Sequence, residues 1–114
     1  MKVKRRGARI VVKITDDPPE NSCRPAVDYL FRSVAETYRS DALAVILTGL
    51  GNDGTEGCKL LKEYDVPLIC QDEDTCVVYG MPREPVELGM ADFVLPLNRI
   101  ASRIMTLVNK EVHA

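Results

Sequence analysis

Apolar positions along the chain change their spacing several times, and each spacing predicts a different element. The opening residues KVKRRGARIVVKI alternate on both sides of Gly7, which predicts a β-hairpin whose charges face water. Segment 15–25 is rich in turn residues, and its final Pro25 suits the first position of a helix. Over 25–39 the apolar spacing predicts a helix with one buried face, formed by Val27, Leu30, Phe31, Val34 and Tyr38.

The rest of the chain alternates between strand and helix patterns. Apolar runs at 43–48, 66–70 and 92–97 predict three strands, with an amphipathic helix after the first and a short helix over 80–89. The last helix is expected to bury Leu97, Ile100, Ala101, Ile104 and Val108. This order implies parallel strands with right-handed crossovers. We therefore expect one α/β domain over 1–114, with an open, mostly parallel, doubly wound sheet and an N-terminal antiparallel hairpin.

Composition and charge narrow the classes of function. Apolar residues make up 46% of the chain and charged residues 28%, and no apolar run is long enough for a membrane span or a signal peptide. We therefore expect a cytoplasmic protein without membrane insertion. Six of the fifteen basic residues lie within residues 1–13, which contain no acid. A basic arm can bind nucleic acid, but the alternation fits a solvated hairpin better, so no nucleic-acid partner is expected.

The cysteines and the single histidine offer little chemistry. The cysteines show no C-x-x-C spacing and have no neighbouring histidine, which argues against a zinc site and favours reduced thiols. They are Cys23, Cys58, Cys70 and Cys76. His113 is the penultimate residue, where chain ends usually fray, so we expect no catalytic role for it. Neither a metal nor a cofactor is expected.

The stretch AVILTGLGNDGTEGCKLL, residues 44–61, carries a glycine pattern that is typical of phosphate-binding loops. Gly49, Gly51 and Gly54 spell G-x-G-x-x-G between a strand and a helix, and Asp72 and Glu73 follow where a ribose-binding acid is expected. However, Asp53 would hold a carboxylate against a pyrophosphate at the helix N-terminus. The chain also supplies fewer central strands than a dinucleotide fold uses. A dinucleotide-binding protein is therefore the weaker hypothesis.

Asp53 itself has two interpretations that the residues alone leave open. It follows the C-terminal end of a parallel strand, where open α/β sheets collect functional groups. It also precedes a helix with Glu56 three residues later, close to a capping box. As a cap alone, Asp53 should tolerate replacement by Asn with little change in stability, because Asn caps helices equally well.

Three motifs carry a family resemblance, and together they cover nearly the whole chain. They are NSCRPAVDYLFRS (21–33), VILTGLGNDGTEG and QDEDTCVVYGMPREPVELGMAD. In this order and spacing they resemble the C-terminal half of the CheB chemotaxis protein-glutamate methylesterase domain. The resemblance implies a serine hydrolase of α/β fold that removes methyl esters from chemoreceptor glutamates and often deamidates receptor glutamines.

The resemblance also implies roles for individual residues. Asp53 falls on the aspartate of the family's Ser-His-Asp triad, which orients the histidine. Leu50 stands where the family usually has methionine, and its backbone N–H would help to stabilise the oxyanion. Further matched residues are expected mainly in structural ion pairs: Arg24, Asp28, Arg32, Arg83 and Glu84. Met81 and Pro82 are expected to shape the neighbouring loop.

The resemblance leaves the catalytic machinery incomplete within these residues. The family's serine and histidine precede the matched region, and its receiver domain is not matched. We therefore expect the chain to be inactive alone, to need an N-terminal catalytic segment as partner, and to act on methyl-accepting chemoreceptors. An uncovered strand edge would also favour a homo-oligomer. A non-catalytic interaction module derived from the enzyme is the alternative.

Overall fold

The computed structural model describes residues 1–20 and 26–113, with side chains described up to Asn109. The predicted roles of Cys23, Arg24 and Pro25 lie outside these residues. The elements follow the predicted order and confirm the α/β class. They are β1 (Lys2–Arg6), β2 (Arg9–Lys13), α1 (Val27–Tyr38), β3 (Ala44–Ile46), α2 (Thr55–Glu63), β4 (Leu68–Gln71), α3 (Arg83–Glu87), β5 (Phe93–Leu95) and α4 (Leu97–His113).

The N-terminal hairpin forms as predicted and contacts α1. Strands β1 and β2 pair antiparallel, and Gly7 turns the chain between them at a φ of 60°, a left-handed conformation that glycine adopts without strain. The N–H of Val3 donates to Ser33 Oγ at 2.9 Å. Lys2 Nζ lies 5.5 Å from the centre of the Tyr29 ring. These contacts attach the base of the hairpin to the side of α1.

The other three strands form a parallel sheet in the order β3-β4-β5. All four residues of β4 are buried, so both faces of this central strand are covered. The strands are shorter than the apolar runs predicted, because each run continues past the residues that pair. Leu47 follows β3 and has an exposed side chain.

Helices α1 and α2 pack against each other and against the start of the sheet. Phe31 and Val34 of α1 contact the buried cluster as predicted, whereas Tyr38 at the end of the helix is exposed. The buried cluster consists of Ala35, Ala44, Ile46, Cys58, Leu61, Val66, Leu68 and Cys70. Helix α1 begins two residues later than predicted, with Ala26 in an extended conformation before it.

The predicted buried face of α4 is wrong for most of its residues. Ile100 is buried, but Leu97 and Val108 are 55% and 45% exposed, and Ala101 is also exposed. Length accounts for the exposure of Val108, because the 17 residues of α4 extend about 25 Å, whereas strands of three or four residues cover only about 10–14 Å. Leu97 and Ala101 lie in the first turns of α4, and no described element covers them. The homo-oligomer expected from the sequence stays a prediction, and this uncovered face is a surface that it would use. No helix in the described part of the chain is both long and apolar enough to span a bilayer.

Burial makes two of the thiols poor nucleophiles. Cys58 and Cys70 are buried and free, and desolvation raises their pKa values from 9.0 to about 12 and about 11. Cys76 is only half-buried, and desolvation raises its pKa as well. The three described cysteines are thus reduced, in agreement with the sequence.

We predict that iodoacetamide at about pH 8, followed by peptide mapping, labels Cys76 much faster than Cys58 or Cys70, because only an accessible thiolate reacts. Since the buried thiols keep their protons in the folded state, the free energy of unfolding should fall as pH rises from about 9 towards the folded pKa values. Equal labelling of all three thiols in the folded chain would contradict the burial of Cys58 and Cys70.

Candidate active site

Asp53 lies in the loop between β3 and α2, with only 3% of its surface exposed. Its Oδ2 accepts the backbone N–H of Val27 at 2.5 Å, and its Oδ1 accepts that of Asp28 at 3.1 Å. These are the first two residues of α1, whose N-cap residue supplies no side-chain cap of its own. The carboxylate thus caps α1 from a different part of the chain.

The cap of α2, one of the two roles that the sequence left open for Asp53, is not formed. The N-cap of α2 is Gly54, in a left-handed conformation with a φ of 104° and without a side-chain cap. That turn separates Asp53 from the start of α2. The N-terminal N–H groups of a helix carry no intrahelical partner, whichever helix they belong to, so a loop carboxylate can serve a spatial neighbour equally well.

Asp28 provides the matching contact in the opposite direction. This fully buried residue in the first turn of α1 accepts the N–H of Gly57 at 2.7 Å, in the first turn of α2. A Cβ on Gly57 would lie 2.4 Å from Phe31 Cβ, so only glycine lets the helices approach this closely. The two helix N-termini therefore lie side by side. Asp53, before α2, binds the N-terminus of α1, and Asp28, in α1, binds the N-terminus of α2.

Gln71 holds the beginning of the Asp53 loop. Its side chain is buried, its Oε1 accepts the Thr48 N–H at 2.8 Å, and its Nε2 donates to Thr75 O at 2.9 Å. One amide side chain thus connects the end of β3 to the turn after β4. Both hydrogen bonds require an amide at the end of this buried strand.

The segment after this turn, residues 78–81, forms backbone hydrogen bonds to Gly49 in the Asp53 loop. Gly49 N donates to Val78 O at 3.1 Å, and Met81 N donates to Gly49 O at 2.9 Å. A Cβ on Gly80 would lie 2.5 Å from Gly49 O and would also clash with the backbone of Gly51. The backbones of the two segments are therefore in direct contact, which requires glycine at this position. As expected from the sequence, Met81 lies against the loop.

Leu50 sits at the outer end of this supported loop. Its side chain is 83% exposed, and its N–H has no hydrogen-bond acceptor among the described residues. On the other side of the loop, Asn52 Nδ2 donates to Glu84 Oε2 at 3.4 Å. The turn that buries Asp53 is therefore anchored on both sides and contains a backbone N–H without an acceptor among the described residues.

The other matched arginines lie in structural contacts, as expected. Arg32 makes a two-pronged ion pair with Glu20, with distances of 2.7 and 2.5 Å. This pairing raises the pKa of Arg32 and lowers that of Glu20. Arg83 lies 5.1 Å from the centre of the Tyr79 ring and donates to Tyr79 O at 3.0 Å.

A family model and a solved structure each match most of the chain. The matching family model is that of the CheB methylesterase, over residues 1–104. This chain belongs to the CheB methylesterase family. The Thermotoga maritima CheB methylesterase catalytic domain superposes with a TM-score of 0.89 at 40% identity, covering 93% of this chain and 56% of that one.

Curated CheB relatives match with similar coverage. A protein-glutamate methylesterase/protein-glutamine glutaminase of Desulfotalea psychrophila is 53% identical over 102 residues, which is 90% of this chain and 28% of the relative. The protein of the same name from Hydrogenovibrio crunogenus is 47% identical over 108 residues, 95% of this chain and 29% of the relative. The chain thus spans under a third of the length of these curated relatives.

The contacts of the Asp53 loop do not favour a phosphate-binding role for its glycines. A pyrophosphate would need the N–H groups at the start of α2, but the Gly57 N–H already binds the Asp28 carboxylate. Gly51 and Gly54 have φ values of 85° and 104°, and Gly49 packs against Met81. The glycines therefore serve the turn itself.

Replacing Asp53 by Asn should destabilise the chain by about 1–3 kcal/mol, contrary to the expectation from sequence. An amide has one acceptor oxygen, so one of the two buried N–H groups of α1 would face an NH₂ group and lose its partner. Urea unfolding monitored by circular dichroism measures the change. The exposed Asp74→Asn is the control and should stay within about 0.5 kcal/mol. Equal stability of Asp53→Asn and wild type would contradict the capping of α1.

Proposed function

We propose that residues 1–114 form the C-terminal portion of a protein-glutamate methylesterase domain, with methyl-accepting chemoreceptors as substrates. The observation that carries this proposal is one turn of chain, between β3 and α2, that combines a buried carboxylate with a backbone N–H that has no acceptor among the described residues. An ester hydrolase needs these two groups at its active site. The names of the curated relatives support a methyl ester of protein glutamate as the substrate.

In this proposal Asp53 is the acid of a Ser-His-Asp triad. It accepts the N–H of a histidine from the remainder of the domain, fixes the tautomer of that histidine and stabilises the imidazolium that forms as the serine attacks. The N–H groups of Val27 and Asp28 bind one oxygen each of this carboxylate. The two helix contacts therefore fix the position of the acid.

The Leu50 N–H would bind the oxygen of the tetrahedral intermediate. As the serine oxygen bonds to the ester carbon, the carbonyl oxygen becomes an oxyanion, and a fixed N–H stabilises that charge without reorganisation. Methanol then leaves with the proton carried by the histidine, and water releases the glutamate. Since the donor belongs to the backbone, leucine in place of methionine preserves it.

The described serines support the proposal that the nucleophile comes from outside these residues. Ser33 Oγ is buried, donates to Leu30 O at 2.7 Å and accepts the N–H of Val3. Ser102 Oγ donates to Arg99 O within α4. Ser40 is exposed in the turn after α1, and none of these three described serines is bonded to Asp53. We therefore propose that the chain alone is inactive, and that its free thiols reflect a reducing, cytoplasmic setting.

The decisive experiment joins this chain to the N-terminal part of the Thermotoga maritima catalytic domain. Methanol release from methylated receptor should appear in the chimaera and be absent from the 114-residue chain. Asp53→Asn in the chimaera should lower kcat by up to about 10⁴-fold, the cost of the corresponding change in a serine protease. Assays are run well below the melting temperature, so that the lost cap does not unfold the variant.

Asp28→Asn is the matched control for this experiment, because it changes the other buried carboxylate at the same pair of helices. It should lower stability but keep most of the turnover. If Asp53→Asn and Asp28→Asn lose stability and activity in parallel, Asp53 is only a helix cap. Methanol release by the purified chain alone would refute the proposal that the remainder of the domain supplies the nucleophile.

The role of the Leu50 N–H is tested in the same chimaera by Leu50→Pro, which removes the donor, and Leu50→Ala, which keeps it. Leu50→Pro should reduce kcat by about 10²–10³-fold, the cost of losing one oxyanion donor. Leu50→Ala should retain activity, since the exposed side chain makes no contribution to the N–H. Similar kcat values for the two variants would exclude Leu50 as an oxyanion donor.

A further inference from the structure

The β1–β2 hairpin gathers its charge on one face. Opposite residues of an antiparallel pair share a face, and the register places Lys2 opposite Lys13, Lys4 opposite Val11, and Arg6 opposite Arg9. Five of these six side chains are cationic. Four of them are exposed and are called here the basic face: Lys4, Arg6, Arg9 and Lys13.

The basic face makes no ion pair with any described residue. Lys2, at the base of the hairpin, is the exception on this side, since its Nζ lies 3.2 Å from Asp17. Residues 1–13 contain no acid, whereas the rest of the chain holds nine basic and all seventeen acidic residues. The positive charge is thus separated from acids that would otherwise neutralise it.

The register makes this arrangement costly for the hairpin itself. Like charges directly opposite each other in an antiparallel pair are destabilising, and Arg6 and Arg9 face each other beside the turn. A residue of either opposite or no charge at one position would relieve the repulsion. Residues that lower the stability of their own element tend to occur at functional sites.

We propose that the basic face is a docking surface for the glutamate-rich helical surface of the protein substrate, an inference that rests on the proposed function. A substrate whose reacting groups are glutamates presents carboxylates around the reacting ester, and exposed cations attract them and steer the encounter. The base of the hairpin contacts α1, whose N-terminus holds Asp53. The hairpin and the candidate site are thus attached to the same helix.

The composition of the hairpin favours an acidic protein over a nucleic acid. No aromatic residue occurs within residues 1–20, so the arm offers no platform for stacking bases.

Fluorescence anisotropy with the 114-residue chain tests the proposal. The probes are a helical peptide rich in glutamate, the same peptide with glutamine at those positions, and a DNA duplex. Arg6→Glu removes the docking charge and creates an attractive pair with Arg9, so it should not unfold the hairpin. Arg99→Glu, in the exposed first turn of α4, makes the same charge change at a position where a helix tolerates an acid.

We expect binding of the glutamate peptide that weakens with salt, falls about tenfold in Arg6→Glu and is unchanged in Arg99→Glu, with no binding of the glutamine peptide. Unchanged affinity in Arg6→Glu, absence of peptide binding, or tighter binding of DNA than of the peptide would each overturn the proposal. Peptide binding without turnover in the chimaera would refute the proposed function and leave the docking surface standing. Turnover in the chimaera without peptide binding would refute the docking surface and leave the proposed function standing.

Discussion

The whole candidate site depends on two helices that begin side by side and exchange carboxylates. Asp53, before α2, accepts the first two N–H groups of α1, and Asp28, in α1, accepts an N–H in the first turn of α2. Each buried acid thereby has donors, and each helix end has an acceptor, which removes the penalty of burying either one alone. Gly57 is required for this exchange, since a side chain there would separate the helices. The path of the Asp53 loop follows from this exchange.

Much of the fold could be predicted from apolar spacing, because helices and strands bury one face at characteristic periods. The hairpin, the parallel strands and the helix order all followed from it. What α4 would bury could not be predicted, since periodicity defines an apolar face without providing the surface that covers it. Leu97 and Val108 show this clearly: they have the right spacing and remain about half exposed.

The site was predictable only in part, for a different reason. The motif around Asp53 suggested the residue, but the local sequence pointed to the wrong helix, because capping rules read along the chain assume that a cap serves the helix that follows it. Asp28 was expected in a structural ion pair, and its contact with α2 carried no local signal, since an acid in the first turn of a helix is common. The partner of a buried carboxylate is set by tertiary structure, and residues 26 positions apart cannot be paired by a local pattern.

The donors that hold Asp53 belong to the main chain, and this has a consequence for sequence divergence. A side-chain donor is lost when its residue is replaced, whereas the N–H groups of Val27 and Asp28 survive any substitution except proline. These two contacts to the acid therefore depend on the path of the α1 backbone and not on a donor side chain. Change at this site is constrained by the shape of the backbone, so relatives can vary the surface of α1 while the acid keeps its direction.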